Sequence, residues 1–270
     1  RRVVCFSQDF AVFSGTMGEM HARKICKILE LAEKGRLPVI GIWDGDGQRP
    51  HEGVTSLGPN GEILDLLVSC SGKVPILSIV LGTVSGTSAL AAGLSDFVIL
   101  GQQRGRMFMR SPYAIPEIIS GEVDEDTLGG ANHHASRSGV ASMVSESESG
   151  AFDIAAEILS FLPDHTMAEP PRLSTGDKWN RKCKGMGNLV HFDSDRPYDM
   201  RGVIAEIVDD KRFLELFPSY AENIVLGFAR LDGIPVGVVG NQPSVLAGCL
   251  DIDASVKAAR FIRTCDCFNV

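Results

Sequence analysis

The sequence lacks the features of a membrane-spanning or secreted protein. No apolar run approaches the roughly 18 to 20 residues that a membrane helix requires, and no charged-then-apolar leader opens the chain. The seven cysteines are an odd number scattered through apolar context, which is not the pattern of a disulfide framework. We therefore expect an intracellular protein with no membrane partner, located in the cytoplasm, or in the mitochondrial matrix if the source is eukaryotic.

Basic residues are fewer than acidic ones. The chain carries 26 Lys and Arg against 34 Asp and Glu, a net charge of -8. Such a balance supplies no basic face for a phosphate backbone, so nucleic acid is not expected as a partner. A small ligand that contains a nucleotide needs only a few local cations, and that class stays open. Cys265 and Cys267 are expected to be reduced core residues, and we expect no metal in this chain.

Apolar strands that alternate with helices make up most of what is present. The segments VVCF, PVIGIWD, PILSIVLG and DFVIL are typical of strands, whereas MHARKICKILELAEKG, ILDLLVSCSG and SGTSALAAG are typical of helices. Because the strands are apolar throughout, they are expected to lie in a sheet covered by helices and joined by βα crossovers. The fold class predicted from this pattern is α/β.

A long-range repeat follows a segment without periodicity. After EPPRLSTGDKWNRKCKGMGN, the order of features near the start of the chain returns: an apolar strand, a Gln, a small-residue pair, and a helix with a Lys. Gln8 corresponds to Gln242 in this order, and Lys24 corresponds to Lys257. Self-similarity at this distance predicts two copies of one α/β unit.

The repeat also predicts the domain organisation. We expect a first domain over residues 1–167 with its start truncated, and a linker over residues 168–199. Residues 200–270 are then an interdomain helix and the beginning of a second, truncated domain. The chain is accordingly expected to be part of a longer parent.

Three long motifs resemble one protein family. The segments FSQDFAVFSGTMGEMHARKICKI, DKRFLELFPSYAENIVLGFARLDGIPVGVVGNQP and AGCLDIDASVKAARFIRTCDCFNV closely resemble the carboxyltransferase β subunits of biotin-dependent acyl-CoA carboxylases, such as propionyl-CoA carboxylase. The resemblance runs along essentially the whole chain. It implies two crotonase-like ββα superhelical domains, the first complete or nearly so, and transfer of carboxyl from carboxybiotin to the α-carbon of an acyl-CoA.

Enolate chemistry explains what such a site needs. Removing a proton or carboxylate from the carbon beside a thioester leaves negative charge on the thioester oxygen, and preorganised N–H donors lower that barrier. Gly-rich turns at helix starts present such donors. Two stretches qualify here, WDGDGQR and LGTVSGTSALAAG, and their order matches the oxyanion-hole segments of crotonase-like proteins. The backbone donors predicted from them are Gly47, Gly86 and Thr87.

Both stretches depart from the family pattern. The family has DSGGAR where this chain has DGDGQR at residues 44–49, and GPCAGGA where it has GTVSGTS at residues 82–88. Asp46 would bring a carboxylate towards the developing enolate unless it points away. Thr87 replaces a glycine, which matters if the backbone there has positive φ or must approach the ligand closely.

The resemblance also indicates acyl-CoA-binding residues and a site wall. Positions in the two turns, the first helix and the MFMRSP segment are assigned to the acyl-CoA, with the lysines facing its phosphates: Asp44, Gly45, Asp46, Arg49, Gly82, Ser85, Lys24, Lys27 and Arg110. A solvated helix face explains the lysines equally well. The LGGANHH segment is expected to form a wall of the site through Gly129, Gly130 and His134. For the histidines, a solvated or core-capping role is favoured over that of a catalytic base.

Three functions stay open at this stage. The first is a carboxyltransferase acting on propionyl- or acetyl-CoA, the second a biotin-dependent acyl-CoA decarboxylase, and the third a non-catalytic acyl-CoA-binding paralogue in a carboxylase complex. Because no GxxxxGK[ST] phosphate loop occurs, ATP-dependent carboxylation of biotin is expected to belong to another chain. The resemblance implies biotin on a partner, a biotin carboxylase or carboxyl carrier subunit, and a homo-oligomer, commonly a hexamer.

Overall fold

The computed structural model describes residues 1–112, 124–178, 180–190 and 197–270. Residues 179 and 191–196, which belong to the predicted linker, lie outside the described residues. The chain forms two compact units, which are described separately. Unit 1 consists of Arg1–Ala156 and Asp164–Thr166, and unit 2 of Glu157–Pro163 and Met167–Val270. No described helix is long and apolar enough to cross a membrane.

Unit 1 contains two parallel sheets and is of the predicted α/β class. Its five-stranded sheet has the order β1-β2-β3-β5-β7, and a two-stranded sheet pairs β4 with β6. The strands are β1 (Val4–Ser7), β2 (Val39–Trp43), β3 (Ile76–Val80), β4 (Thr83–Ser85), β5 (Phe97–Gly101), β6 (Arg106–Phe108) and β7 (Met143–Ser145). The helices are α1 (Glu19–Gly35), α2 (Leu57–Cys70), α3 (Thr87–Gly93), α4 (Glu125–Gly129), α5 (Ala131–Ser136) and α6 (Glu148–Phe161), the last of which continues into unit 2.

Burial explains why the central strands form. Every residue of β3 is buried, as expected of a strand inside a parallel sheet with both faces covered. Helix α1 buries Ile25 and Leu29 on the same side of the helix, and α2 buries Ile63 and Leu67. These residues belong to one apolar core with β2 and β3. The core therefore fixes the strand ends from which the candidate site extends.

Unit 2 is built on an antiparallel sheet. Its strands β8 (Leu214–Leu216), β9 (Ile224–Leu231) and β10 (Ile234–Asn241) have the order β10-β9-β8, and its helices are α7 (Met186–Leu189), α8 (Met200–Ile207) and α9 (Ile252–Cys267). Part of the segment predicted as a linker is bound to this unit. The Arg181 guanidinium donates to the carbonyl oxygens of Glu206, Ile207 and Val208.

The predicted repeat has a counterpart in the backbone of both units. After β1, Phe13, Ser14 and Gly15 have φ values of 51°, 53° and 64°. After β10, residues 246–248 have 48°, 52° and 70°. Three consecutive residues with positive φ are uncommon, so the same triplet before a long helix in both units is the geometry expected of two copies.

The two lysines paired by the repeat lie in different environments. Lys24 is exposed on α1, whereas Lys257 on α9 is 3% exposed. The Lys257 ammonium donates to the carbonyl oxygens of Phe217, Tyr220, Ala221 and Ile224, at 2.7–3.3 Å. Burial lowers the pKa of Lys257 to about 8, with the charge of Glu215 acting in the opposite direction. Lys257 thus fastens α9 to the loop before β9.

Candidate functional site

Two turns meet at the carboxyl ends of neighbouring parallel strands. The first turn, residues 44–49, follows β2, and the second turn, residues 82–88, follows β3 and leads through β4 into α3. Because β2 and β3 pair in parallel, the two turns that follow them leave the sheet at the same edge. Ligands of open α/β sheets bind at this edge.

Side chains bridge the two turns. Ser85 Oγ donates a hydrogen bond of 2.9 Å to Asp46 Oδ1. Gln48 Nε2 donates to Thr87 Oγ1 at 3.4 Å. Gly47 has φ +69°, and a Cβ there would lie 2.8 Å from Ser85 Oγ, so the first turn passes close to the second. The turns are therefore held against each other by groups on both sides.

Asp44 fixes the start of the first turn. Its carboxylate packs directly on Gly82, where a Cβ would overlap it. Its amide donates to Gln8 Oε1 at 3.0 Å. Gly45 is buried against Gly15, whose carbonyl oxygen a Cβ at residue 45 would overlap. Burial raises the pKa of the Asp44 carboxyl, with Arg104 acting in the opposite direction. Asp44, Gly45 and Gly82 thus shape the turns by close packing.

Two of the three predicted backbone donors already have acceptors inside the protein. Gly47 N–H donates to Gly45 O at 2.9 Å, and Gly86 N–H donates to Phe108 O at 3.0 Å. Each of these hydrogens thus has an acceptor inside the protein, and the assignment of both residues as donors to a substrate stays a prediction. Within the described residues, Thr87 N–H at the start of α3 has no hydrogen-bond acceptor. It is the predicted donor that stays available.

The departures from the family pattern are accommodated. Asp46 turns its carboxylate onto the Ser85 hydroxyl. The positive φ of the second turn lies at Gly86, at +56°, and Thr87 is not among the positive-φ residues. The backbone conflict that a glycine-to-threonine change would cause at positive φ therefore does not arise. All four residues of the pairs Asp46 with Ser85 and Gln48 with Thr87 differ from the family pattern, and both pairs connect the turns.

Arg49 is held by internal partners. Its guanidinium donates to Glu52 Oε1 at 2.7 Å and to Thr16 O at 2.9 Å, and it lies 4.8 Å from the centre of the Phe13 ring. Glu52 also accepts from the Glu19 amide at the start of α1, at 2.5 Å. The interaction with that amide is the main cause of the lowered pKa of Glu52. Arg49 thus anchors the first turn, and its assignment to the acyl-CoA stays a prediction.

Lys24 and Lys27 lie apart from these bridges, on the exposed face of α1. They line a cavity of about 660 Å³ together with His21 and Gln8. Burial lowers the pKa of His21. Gln8 is 5% exposed, and its Nε2 has no hydrogen-bond partner among the described residues. The cavity is therefore lined by two lysine side chains and by a glutamine amide nitrogen that has no acceptor among the described residues.

The expected wall residues pack around β6. His134 Nε2 is 2.9 Å from Met107 O, and Nδ1 is 2.8 Å from Ser138 Oγ, so both ring nitrogens have partners. Burial lowers the pKa of His134. The internal partners of both ring nitrogens match a core-capping role better than that of a base. A Cβ at Gly129 would overlap Met107 O, and one at Gly130 would meet Asp126. Arg110 is exposed and makes no described hydrogen bond or ion pair.

Sequence reasoning missed Gln48 and Glu52. Every second residue of the first turn, Asp44, Asp46 and Gln48, directs its side chain towards the second turn. This spacing of two is the feature of the sequence that could have indicated Gln48. Glu52 lies beyond the quoted turn, and nothing in the sequence indicates its contact with α1. In the part of the chain that the structure describes, no cluster of three His, Cys, Asp or Glu could hold a metal ion.

Comparisons with known proteins give the context of these turns. The family model of the carboxyl transferase domain matches residues 1–270. The chain is 44% identical to the biotin-dependent acetyl-/propionyl-coenzyme A carboxylase beta5 subunit of Mycobacterium tuberculosis, covering 100% of this chain and 50% of that protein. It is 42% identical to the methylmalonyl-CoA decarboxylase subunit alpha of Veillonella parvula, covering 100% of this chain and 53% of that protein.

A solved structure gives the fold. The transcarboxylase 12S hexamer, with methylmalonyl-coenzyme A and methylmalonic acid bound, matches with a TM-score of 0.95 at 38% identity. The match covers 98% of this chain and 52% of that one. The crotonase-like fold expected from the sequence is thereby confirmed, and the chain spans about half the length of the relatives it matches. The family match over every residue and these identities show that the chain belongs to the carboxyl transferase family.

Proposed function

We propose that the protein containing this chain is the carboxyltransferase component of a biotin-dependent acyl-CoA carboxylase. It transfers carboxyl from carboxybiotin to the α-carbon of a short acyl-CoA, propionyl- or acetyl-CoA. The observation that carries the proposal is the pair of bridged turns at the carboxyl ends of β2 and β3, with the unpaired Thr87 N–H at their junction.

The geometry supports a site for the thioester oxygen. Thr87 N–H directs a donor to the place where negative charge develops as the enolate forms. The bridge from Ser85 to Asp46 holds the second turn in place before substrate binds, so its donors need no rearrangement during the reaction. The cations Lys24 and Lys27 lie in the same unit and offer positive charge for the phosphates of coenzyme A.

Biotin and its carrier are part of the proposal. Biotin supplies the transferable carboxyl, and after losing it the ureido group can take the α-proton, so no protein histidine is required as base. The partners are a biotin carboxylase or carboxyl carrier subunit and further copies of this protein, assembled as a hexamer. We place the protein in the cytoplasm, or in the mitochondrial matrix if the source is eukaryotic.

Decarboxylation is the second candidate function. The 42% identity to a methylmalonyl-CoA decarboxylase subunit favours it, because the same enolate forms when carboxyl leaves the acyl-CoA for biotin. The non-catalytic alternative is less well supported. Asp46 and Thr87, the departures that suggested it, are both accommodated without strain and without an unpaired carboxylate facing the gap.

The test is transfer of carboxyl by the full-length protein that contains this chain. It is incubated with malonyl-CoA and with methylmalonyl-CoA, with and without free biotin, and loss of the carboxyl group is followed. The proposal predicts biotin-dependent loss that Gly86→Pro abolishes, because proline cannot adopt φ +56° and lacks the N–H that donates to Phe108. Binding of both CoA esters without any loss of carboxyl would favour the non-catalytic reading.

A further inference from the structure

The contact between Gln48 and Thr87 places a hydroxyl in the gap between the turns. Gln48 belongs to the first turn and Thr87 to the second, and both side chains are half-buried. Gln48 Nε2 reaches Thr87 Oγ1 at 3.4 Å from across the gap. The Thr87 hydroxyl therefore lies on the side of α3 that faces the first turn.

The hydrogen of this hydroxyl has no acceptor. A threonine hydroxyl has one hydrogen to donate and two lone pairs that accept. The amide of Gln48 uses a lone pair, and the structure records no described group that accepts from Thr87. Ser85 differs, because its hydroxyl donates to Asp46 and is thereby used. Thr87 thus has a hydroxyl hydrogen left for a ligand, whereas the Ser88 hydroxyl, which also has no partner among the described residues, is fully buried.

The backbone of the same residue presents a second unused hydrogen. Thr87 N–H has no acceptor in the described part of the chain, whereas Gly47 and Gly86 donate to Gly45 and Phe108. A backbone N–H and a side-chain hydroxyl on one residue are close enough to converge on one oxygen atom. Oxyanion holes combine backbone and side-chain donors in this way.

We propose that the Thr87 hydroxyl is a catalytic donor to the thioester oxygen beside Thr87 N–H, and that Gln48 is a positioning residue that orients it. This inference rests on the proposed function, since it concerns the enolate of an acyl-CoA. The amide of Gln48 holds the hydroxyl by its lone pair and so turns its hydrogen towards the gap. Asp46 stays bound to Ser85, which keeps its carboxylate from competing for that hydrogen.

The experiment compares Thr87→Val, which keeps the shape and removes the hydroxyl, with Thr87→Ser, which keeps the hydroxyl. Steady-state kinetics of carboxyl transfer are measured on the full-length protein with methylmalonyl-CoA and free biotin. Loss of one oxyanion donor is expected to lower kcat by about 100-fold in the valine variant with little change in KM. Thr87→Ser should stay within a few-fold of the wild type. Thr175→Val, in unit 2, is the matched control and should leave both constants unchanged.

Gln48→Met tests the positioning role. It removes the amide at similar length, so kcat should fall by about 10-fold with KM unchanged, and adding this change to Thr87→Val should lower kcat no further. If Thr87→Val unfolds at a lower temperature than the wild type, Thr87→Gly removes the hydroxyl without adding a methyl group. It should lower kcat as much.

The outcomes separate this inference from the proposed function. Wild-type kcat in Thr87→Val, or equal losses in Thr87→Val and Thr87→Ser, would overturn the role of the hydroxyl while leaving the transfer activity established. Additive losses in the Gln48→Met and Thr87→Val double variant would overturn the orientation by Gln48. Absence of carboxyl transfer by the wild type would instead overturn the proposed function.

Discussion

Asp46 and Ser85 make the shortest bridge between the turns, and they are expected to be energetically coupled. Their hydrogen bond of 2.9 Å involves a carboxylate, but it is only partly buried, so a coupling of about 1 kcal/mol is expected in the free energy of unfolding. Asp46→Ala, Ser85→Ala and the double variant give the cycle by denaturant unfolding. A cycle of Asp46→Ala with Ser69→Ala, whose hydroxyl bonds to Glu33, should be additive. A coupling of zero for Asp46 and Ser85 would refute the bridge.

Glu52 gives the stability of unit 1 a defined dependence on pH. Its pKa is lowered below the ordinary glutamate value, chiefly by the Glu19 amide and then by Arg49. A group with a depressed folded-state pKa stabilises the fold above its unfolded pKa, and this contribution is lost as pH falls through the folded-state value. Wild-type stability should therefore decline below about pH 4.5 more steeply than that of Glu52→Gln. Glu62→Gln, exposed on α2, is the control and should follow the wild type.

Gly86 determines how two secondary-structure elements are joined, because its backbone conformation connects β4 to α3. With φ 56° and ψ -127° it occupies a region that side chains avoid, although a Cβ would meet nothing within 4 Å. Gly86→Ala should cost about 1 to 3 kcal/mol through backbone strain alone. Gly93→Ala, at the end of the same helix, also has open space but no positive φ, and should be neutral or slightly stabilising. Equal thermal stability of the two variants would contradict the strain argument.

Lys257 holds α9 to the loop before β9 and should be essential to unit 2. Lys257→Met leaves four carbonyl oxygens without their donor, so unfolding free energy should fall by about 3 kcal/mol or more. Lys34→Met removes an exposed lysine paired with Glu30 on α1 and should change stability by less than about 1 kcal/mol. Denaturant unfolding of both variants measures the difference, and similar small losses would show that the carbonyl cluster does not need the ammonium.

For the molecule as a whole, the sequence predicts the strands that position the site better than it predicts which backbone N–H groups are free to donate to a ligand. Strands β2, β3 and β5 are apolar runs bounded by turn residues, so their positions follow from composition and spacing. Strands β4 and β6 have three residues each, too few for a pattern to show. Which amides stay unpaired depends on how the turns close, and Gly47 bonding to Gly45 has no signature in the sequence. Arg49 shows the same limit, since its partners come from residues 16 and 52.

Hydrogen exchange can show whether both turns contact one acyl-CoA. Amide exchange of the full-length protein is followed by mass spectrometry with and without saturating propionyl-CoA. We expect slower exchange in peptides that cover residues 44–49 and residues 83–90, and unchanged exchange in α9 (Ile252–Cys267). Protection elsewhere in the protein, with both turns exchanging as fast as in the free protein, would contradict it.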